Sequence, residues 1–545
     1  MVFRLFSGDL VGLTGRMVEV EVDLVPALSS FVITGLPGPG IRESRQRIRS
    51  AIENSGFRFP DRYRVVIHLA PAAVTKDGSA FDLAIALAIL AESGQIAADG
   101  LERHGFIGEL ALDGRLRPVR GGMTIGHHLG HHLCRRLQQV PGTHENLESP
   151  KLFIPLGQHP GTDTENLEEG FYQRGDSRSC EVIEAESLRR VVALLAGEIE
   201  ESSSETSLRP MEPFENRSIE PQLNRTCIGR EEAVDMSEVL GQTQARRALE
   251  ICAAGEHPLL MVGPPGCGKS LLARRVPGIL PPLDQESLRE VRQINELLDG
   301  EAPNGQQRPF RAPHHSITVA GLVGGGTPIA PGEISRAHRG ILFLDELPEV
   351  SLAALEALRE PLEEGVITLS RAGGSVAFPG EFLLIAAMNP CPCGRGQTGR
   401  CRCRAQDRLR YQRRLSDPLL DRFDLKVALQ REKLALFSSH EIDPPDSSAT
   451  IQDRVLEARK WAENRGLGPS NRHLKWSDRS QWLLLDPDSE ELLKQLEAEH
   501  SMSMRCWMRF LRVARTIADL AAKEKIERIH LLEALSLRGA MEVDS

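Results

Sequence analysis

Val18, Val20, Val22 and Leu24 alternate with Glu19, Glu21 and Asp23, a period of two that predicts a strand with one buried face. The apolar run Val65-Val66-Ile67-His68-Leu69 predicts a second strand, and Leu83 to Leu90 an apolar helix. Three further runs are apolar without alternation: Leu259-Leu260-Met261-Val262, Ile341-Leu342-Phe343-Leu344 and Phe382 to Met388. Such runs suit short, fully buried strands of a parallel sheet. Near the C-terminus the period lengthens to that of a helix in Leu511, Ala514, Ile517, Ala518 and Ala521. The fold class expected is therefore α/β and α+β multidomain: an α+β domain, a parallel-sheet module and a helical C-terminal part.

Polar stretches mark the divisions. Glu200 to Ser218 has little to bury and reads as a linker, and Asp443-Pro444-Pro445-Asp446-Ser447-Ser448 separates the sheet module from the helical part. Pro141 to Asp176, rich in Gly, Pro, Asn and Glu, reads as a loop-like insertion. A chain of 545 residues suits roughly three or four domains of about 150 residues each. With 41% apolar and 26% charged residues it reads as an ordinary globular protein, and aromatics at 4% leave its cores to Leu, Ile, Val and Ala. The net charge of −10 argues against coating nucleic acid or membrane with the whole surface, while leaving room for a local basic channel. No apolar run approaches the roughly 18 residues of a membrane span, and the N-terminus lacks a signal-peptide pattern. Ten cysteines, scattered but for one cluster, suit a reducing cytoplasm.

Chemistry concentrates after Val262. Gly263-Pro264-Pro265-Gly266-Cys267-Gly268-Lys269-Ser270 satisfies the P-loop pattern, between a predicted strand and a helix opening at Leu271. Its backbone N–H groups would cradle a triphosphate, Lys269 would reach the β- and γ-phosphates, and Ser270 would ligate Mg²⁺. ATP and Mg²⁺ are the cofactors expected, with Cys267 as a small filler. Asp345 and Glu346 end the run from Ile341, the Walker B arrangement. Asp345 would hold Mg²⁺ and Glu346 would polarise the attacking water. Asn389 ends the next strand, where a polar residue can sense the γ-phosphate; an ordinary turn Asn before Pro390 is the alternative. Arg422, in Pro418-Leu419-Leu420-Asp421-Arg422, has the character of an arginine finger, although a surface arginine is the default for any single Arg.

Here the sequence resembles the ComM/YifB family of magnesium-chelatase-like AAA+ ATPases. The likeness rests on Arg308-Pro309-Phe310-Arg311-Ala312-Pro313-His314-His315-Ser316, Gly324-Gly325-Gly326, Pro331-Gly332-Glu333-Ile334-Ser335, Asp345-Glu346-Leu347-Pro348-Glu349, Met388-Asn389-Pro390-Cys391-Pro392-Cys393-Gly394, Pro418 to Arg422 and Val513 to Leu520. The resemblance implies a Lon-protease-like domain over 1–199, a linker over 200–225, an AAA+ module over 226–436 and a helical lid over 437–545. It implies a trans-acting finger at Arg422 and a sensor-two arginine at Arg505, with Arg515 the competing candidate. It implies a cytoplasmic homo-hexamer acting on single-stranded or branched DNA, as a helicase or branch-migration motor in recombination or natural transformation. Asp417 stands where the family usually has Gly, which sets a negative charge beside the finger loop.

Other segments bear on the substrate. Ala320 to Thr327 reads as a flexible loop, and Val366 to Ser370 with Ser375 to Phe378 flank Arg371-Ala372-Gly373-Gly374 as a β-hairpin. Similar ATPases point such hairpins into a ring's pore; Arg371 there would meet a phosphate, and a solvent-exposed turn is the equal alternative. Cys391, Cys393, Cys401 and Cys403 form C-x-C-x₇-C-x-C, four thiolates able to close a structural Zn²⁺ site. Arg395 to Arg414 holds eight arginines against Asp407 alone, which suggests phosphate binding, subunit contacts or plain solvation, with Tyr411 the one ring for base stacking. His127, His128, His131 and His132 have metal-ligand spacing but no completing group, and read as structural or surface residues. The four arginines Arg42, Arg45, Arg47 and Arg49 read as a solvated helix face. Lys76-Asp77-Gly78-Ser79-Ala80 resembles the Lon segment Lys-Asp-Gly-Pro-Ser, but Ala80 stands at the nucleophile's place, which argues against proteolysis. A metal-insertion or protein-remodelling ATPase of the magnesium-chelatase type is the rival to the DNA motor.

Overall fold

A computed structural model describes residues 2–72, 76, 78–138, 149–158, 180–197, 235–298, 307–326, 329–371, 374–395, 401–431, 445–468, 470–499 and 503–538. The chain divides into two compact units, Met1–Leu223 with Gln293–Ala302, and Asn224–Arg292 with Pro303–Ser545. The predicted linker, the segments 141–148 and 159–179, Asp77 and the hairpin tip at 372–373 lie outside the described residues.

In the first unit β1 (Phe3–Val11), β2 (Thr14–Pro26), β3 (Ser30–Thr34), β4 (Tyr63–Ala70) and β5 (Gly105–Phe106) join β8 (Lys151–Pro155) and β9 (Glu181–Ala185) in one mixed sheet. Its order is β3-β4-β2-β1-β5-β8-β9, and β6 (Glu109–Leu110) pairs separately with β7 (Leu116–Arg117). The alternation in β2 has its predicted effect: Val18, Val20 and Val22 are fully buried while Glu19 and Glu21 reach the surface. Helix Asp82–Glu92 is buried from Asp82 to Ala91, which explains why it is apolar all round. β8 corrects the reading of Pro141 to Asp176 as a loop-like insertion. Leu152, Phe153 and Ile154 are buried strand residues there, and the polar sequence around them hid so short a run.

Two polar placements matter in this unit. Arg47 leaves the predicted solvated face and binds the buried carboxylate of Asp82 at 2.9 Å, whereas Arg42, Arg45 and Arg49 are exposed. Burial pushes Asp82 up to about 6 despite this partner. Lys76 is fully buried, its ammonium donating to the carbonyls of Gly35 at 3.0 Å, Leu69 at 2.8 Å and Pro71. Ser79 donates instead to Glu109, and Ala80 is buried, so Lys76 and Ser79 are each committed to other partners. On helix Gly122–Gln138, His127, His131 and His132 are exposed, and His128 Nδ1 lies 3.0 Å from the carbonyl of Thr124.

The second unit is built on a five-stranded parallel sheet: β10 (Leu259–Val262), β11 (Phe310–Arg311), β14 (Ile341–Leu344), β17 (Leu383–Met388) and β18 (Leu425–Ala428), in the order β11-β14-β17-β10-β18. Between β11 and β14 lie β12 (Gly324–Gly325) and β13 (Ala330–Pro331), and β15 (Val366–Arg371) pairs antiparallel with β16 (Gly374–Pro379), the expected hairpin. The uniformly apolar strands follow from cover on both faces. Leu259, Met261, Ile385 and Val427 pack with Val455, Trp482, Phe510, Ala514 and Ile517 of the C-terminal helical part, while Leu260, Leu342 and Leu384 pack with Leu347, Ile367 and Phe423. Helix Met504–Leu520 buries Leu511, Ala514, Ile517 and Ala518; the fifth predicted position, Ala521, is exposed just past its end.

Candidate nucleotide site and the arginine face

The P-loop leaves the carboxyl end of β10, where Gly263 N–H donates to the Met388 carbonyl at 3.1 Å. Gly268 takes a φ of 93°, a left-handed turn that opens helix Lys269–Ala273 and that a side chain would strain. A Cβ on Gly263 would meet Cys267 Sγ and the Leu429 carbonyl at 2.8 Å, so the small, buried Cys267 fills the loop as expected. The helix is short because Pro277 enters the following turn, Val276–Gly278. The Lys269 ammonium is buried and donates to the carbonyls of Gly263 at 2.7 Å and Pro264 at 3.1 Å, and to Asn389 Oδ1 at 3.1 Å. Burial lowers its pKa. An anionic ligand would be the natural counter-charge.

Ser270 Oγ donates to Asp345 Oδ2 at 2.7 Å, an adjacent pair of hard oxygens that fits a small divalent cation such as Mg²⁺. Glu346 follows with a φ of 49°, and its Oε2 lies 3.0 Å from His315 Nδ1. His315 occurs in the resemblance motif, but nothing in its local sequence points to this contact. The P-loop, Asp345, Glu346 and Asn389 thus gather at the carboxyl ends of β10, β14 and β17.

Arg422 and Arg505 lie elsewhere. Arg422 Nη1 donates to the Pro418 carbonyl and Nη2 to Glu363 Oε1, both at 2.6 Å, and Nε is buried without a partner. Arg505, largely exposed, approaches the same Glu363 oxygen at 3.6 Å. Both line a cleft of about 1100 Å³ whose wall includes Pro258, Gly340, Phe382 and Asp424, the residues just before β10, β14, β17 and β18. The cleft therefore opens at the amino end of the sheet, and none of its lining residues belongs to the P-loop. Arg509, one helical turn beyond Arg505, lies 3.6 Å from Asp424, with a buried Nη1 lacking a partner. Asp424 also binds His257 at 3.0 Å. Burial would raise the Asp424 pKa, but His257, Arg509 and Arg512 together hold it below the ordinary carboxylate value. Arg515 is core: it is 1% exposed, pairs with Asp519 at 3.0 Å and donates to the carbonyls of Glu524 and Lys523. Asp417 opens helix Asp417–Leu420 and faces solvent.

Cys391, Cys393, Cys401 and Cys403 bring their sulfurs within 4.8 Å of one another, the one such cluster of potential metal ligands among the described residues. Sulfur separations of 3.4, 3.7 and 3.6 Å approach the edge of about 3.8 Å that a tetrahedron of about 2.3 Å Zn–S bonds requires. The donor set fits zinc. In the basic run that follows, Arg402, Arg404, Arg410 and Arg413 are exposed and Arg414 binds Glu349 at 2.6 Å. Tyr411 does not offer its ring for base stacking: it is buried beside Leu415, Leu419 and Met388, and burial pushes its hydroxyl up to about 12. The segment read as a flexible loop is also ordered in its described part: Thr318 Oγ1 caps helix Val319–Val323, which leads straight into β12.

A phosphate-cradling loop between strand and helix, in a parallel sheet with an acid pair on a nearby strand, defines a P-loop α/β protein. Residues 235–436 match the family described as magnesium chelatase, subunit ChlI; residues 20–138 match subunit ChlI of Mg-chelatase, and 445–538 the ChlI C-terminal region. The chain is 39% identical to the YifB protein of Salmonella typhimurium, over 97% of this chain and 95% of that one. It is 35% identical to competence protein ComM of Haemophilus influenzae, over 99% and 97%. A shorter likeness, 32% identical over 114 residues, relates 20% of this chain to 14% of Lon protease 1 of Bacillus subtilis. The chain belongs to the ComM/YifB family of magnesium-chelatase-like AAA+ proteins.

Proposed function

We propose that this protein is an ATP-hydrolysing motor that works as a homo-hexameric ring in the cytoplasm and moves single-stranded or branched DNA. The observation that carries the ring is the separation of its parts: the phosphate site lies at the carboxyl end of the sheet and Arg422 with Arg505 at the amino end. Strands of four residues span about 13 Å, too far for an arginine to reach its own P-loop, so both arginines serve the site of a neighbouring copy. Lys269 binds the β- and γ-phosphates, Asn389 orients the γ-phosphate, and Glu346 polarises the water. Ser270 and Asp345 hold Mg²⁺, which when bound neutralises charge on the phosphates. Arg422 then stabilises the transferring group from across the boundary, with Arg505 beside it.

DNA as the track is supported by the hairpin that carries Arg371 at the end of β15, by the exposed arginines after Arg395 and by the name of the competence protein relative. Four cysteines hold structural zinc beside Asn389. The chain comprises a Lon-like domain over 1–199, a linker over 200–225, an AAA+ module over 226–436 and a helical lid over 437–545. With Lys76 and Ser79 committed elsewhere, the first of these serves assembly rather than peptide cleavage.

The test is unwinding and branch migration on forked and four-way DNA, comparing wild type with Lys269→Ala, Glu346→Gln and Arg371→Ala. Wild type moves the strands, the first two variants do not, and Arg371→Ala loses coupling while keeping turnover. If wild type neither binds DNA nor hydrolyses ATP faster in its presence at low salt, the metal-insertion or protein-remodelling reading replaces the motor. Elemental analysis should find one zinc per chain, lost in Cys391→Ser; zinc-free wild type rejects the cysteine site.

A further inference from the structure

His257 and Asp424 stand just before β10 and β18, neighbouring strands that run parallel. Asp424 N–H donates to the Pro258 carbonyl at 3.0 Å, so the backbone already joins the two segments. The side chains add a second, directional joint. His257 is fully buried, with Nδ1 3.0 Å from Asp424 Oδ2 and Nε2 2.8 Å from Thr516 Oγ1. A carboxylate can only accept, so Nδ1–H donates to Asp424, while a hydroxyl can meet the other ring nitrogen in either sense. Thr516 is held in turn: Asn471 Nδ2 donates to its Oγ1 at 3.0 Å and to Asp519 Oδ2 at 2.7 Å. The ring is therefore fixed at both nitrogens, one toward the sheet and the other toward the helical part. A glycine makes room for it, since helix Thr243–Gly255 ends in a residue whose Cβ would collide with both the His257 ring and Thr516 Oγ1.

Asp424 connects this joint to the arginines. Its Oδ1 faces Arg509 Nε at 3.6 Å, one turn along the helix from Arg505, and Arg422 lies two residues before it in the chain. Between them Phe423 is buried in the core with Leu260, Leu342 and Leu384. One carboxylate thus links the Arg422 segment to the helix of Arg505, with its oxygens divided between His257 and Arg509. Freed from His257, it would keep only Arg509 and Arg512 as charged partners and would turn toward them.

We propose that His257 is a positioning residue for the two arginines at the amino end of the sheet: by holding Asp424 it sets where Arg422 and Arg505 present their guanidinium groups to a neighbouring copy. The inference rests on the reading of those arginines as acting across copies. His257 lies at the opposite end of β10 from the P-loop, so it governs turnover rather than ATP binding.

Steady-state ATP hydrolysis by the full chain tests this. His257→Gln reaches Thr516 but gives up the Asp424 bond. It should lower kcat roughly thirtyfold with KM unchanged, since displacing a group by about 1 Å can cost about a hundredfold. His257→Asn keeps a donor at the Nδ1 position and should stay within about threefold of wild type. Thr516→Val, close to the same shape, should lower kcat by about threefold. Mixing separates a positioning role from a merely structural one. His257→Gln mixed with Lys269→Ala forms junctions of intact loop and intact arginines, and turnover should return; mixed with Arg422→Ala it should not. Wild-type kcat in His257→Gln or Thr516→Val, an Asn variant as slow as Gln, or recovery with Arg422→Ala but not with Lys269→Ala would each overturn the proposal. Nucleotide titration confirms that each variant is folded. Arg422→Ala mixed with Lys269→Ala is the reference: no recovery there strikes the reading across copies, and the Asn and Gln variants still decide the role of His257.

Discussion

The two ends of the five-stranded sheet in the second unit are built on opposite terms. At the carboxyl end the charged and polar groups satisfy one another: Lys269 is held by two carbonyls and Asn389, and Ser270 by Asp345. At the amino end cations outrun their partners, since Arg422 and Arg505 share Glu363 while Arg422 Nε and Arg509 Nη1 are buried without acceptors. Leaving donors unsatisfied costs free energy that a folded domain normally avoids. Under the proposed motor reading, Lys269 takes its anion from the nucleotide in its own loop and the arginines at the amino end take theirs from a neighbouring copy.

Arg422→Ala is the severest way to break the comparison. It should lower turnover roughly a thousandfold while ATP affinity, measured by titration, stays within about twofold. Lys269→Ala should cost roughly a hundredfold or more and weaken ATP binding as well, because its amine sits in the phosphate loop. Mixing the two inactive variants sharpens the contrast. If the ends act across copies, a mixture contains junctions with an intact loop facing an intact finger, and turnover should return; a mixture as inactive as its components would refute the arrangement. Glu363→Gln should change turnover by about tenfold at most, since it loosens both arginines without removing either. Arg515→Ala should scarcely alter the turnover of the molecules that remain folded. It should lower stability in a denaturant titration by about 3–5 kcal/mol, as expected for breaking a buried pair with Asp519.

Much of this was legible in the residues. Strands β10, β14 and β17 are apolar runs ending in chemistry, so the P-loop, Asp345 and Asn389 could be placed on one end of one sheet from local pattern alone. The hairpin β15–β16 and the cysteine cluster were equally local. What sequence hid depends on partners far along the chain. Arg47 looked like one of four equivalent helix arginines until Asp82, 35 positions away, singled it out. Tyr411 looked available because its neighbours are charged, yet its ring completes a core assembled from β17 and Leu419. Glu363 carries no motif, and its place between Arg422, 59 positions away, and Arg505, farther still along the chain, appears only in the folded structure. β8 was lost for another reason: three apolar residues among turn-formers are too few for a periodicity to register.

The hydrophobic core that joins Leu259, Ile385 and Val427 to Trp482, Phe510 and Ile517 runs without a break from the sheet into the C-terminal helices. Arg422 comes from the sheet side of that core and binds Glu363, and Arg505 comes from the helical side and approaches the same carboxylate. If the proposed motor reading holds, a piece packed this continuously would act as a rigid lever, with little give between fulcrum and tip. Each copy would then carry its arginine tip as a unit, and the slack that converts hydrolysis into a stroke would have to be taken up at the joints between copies.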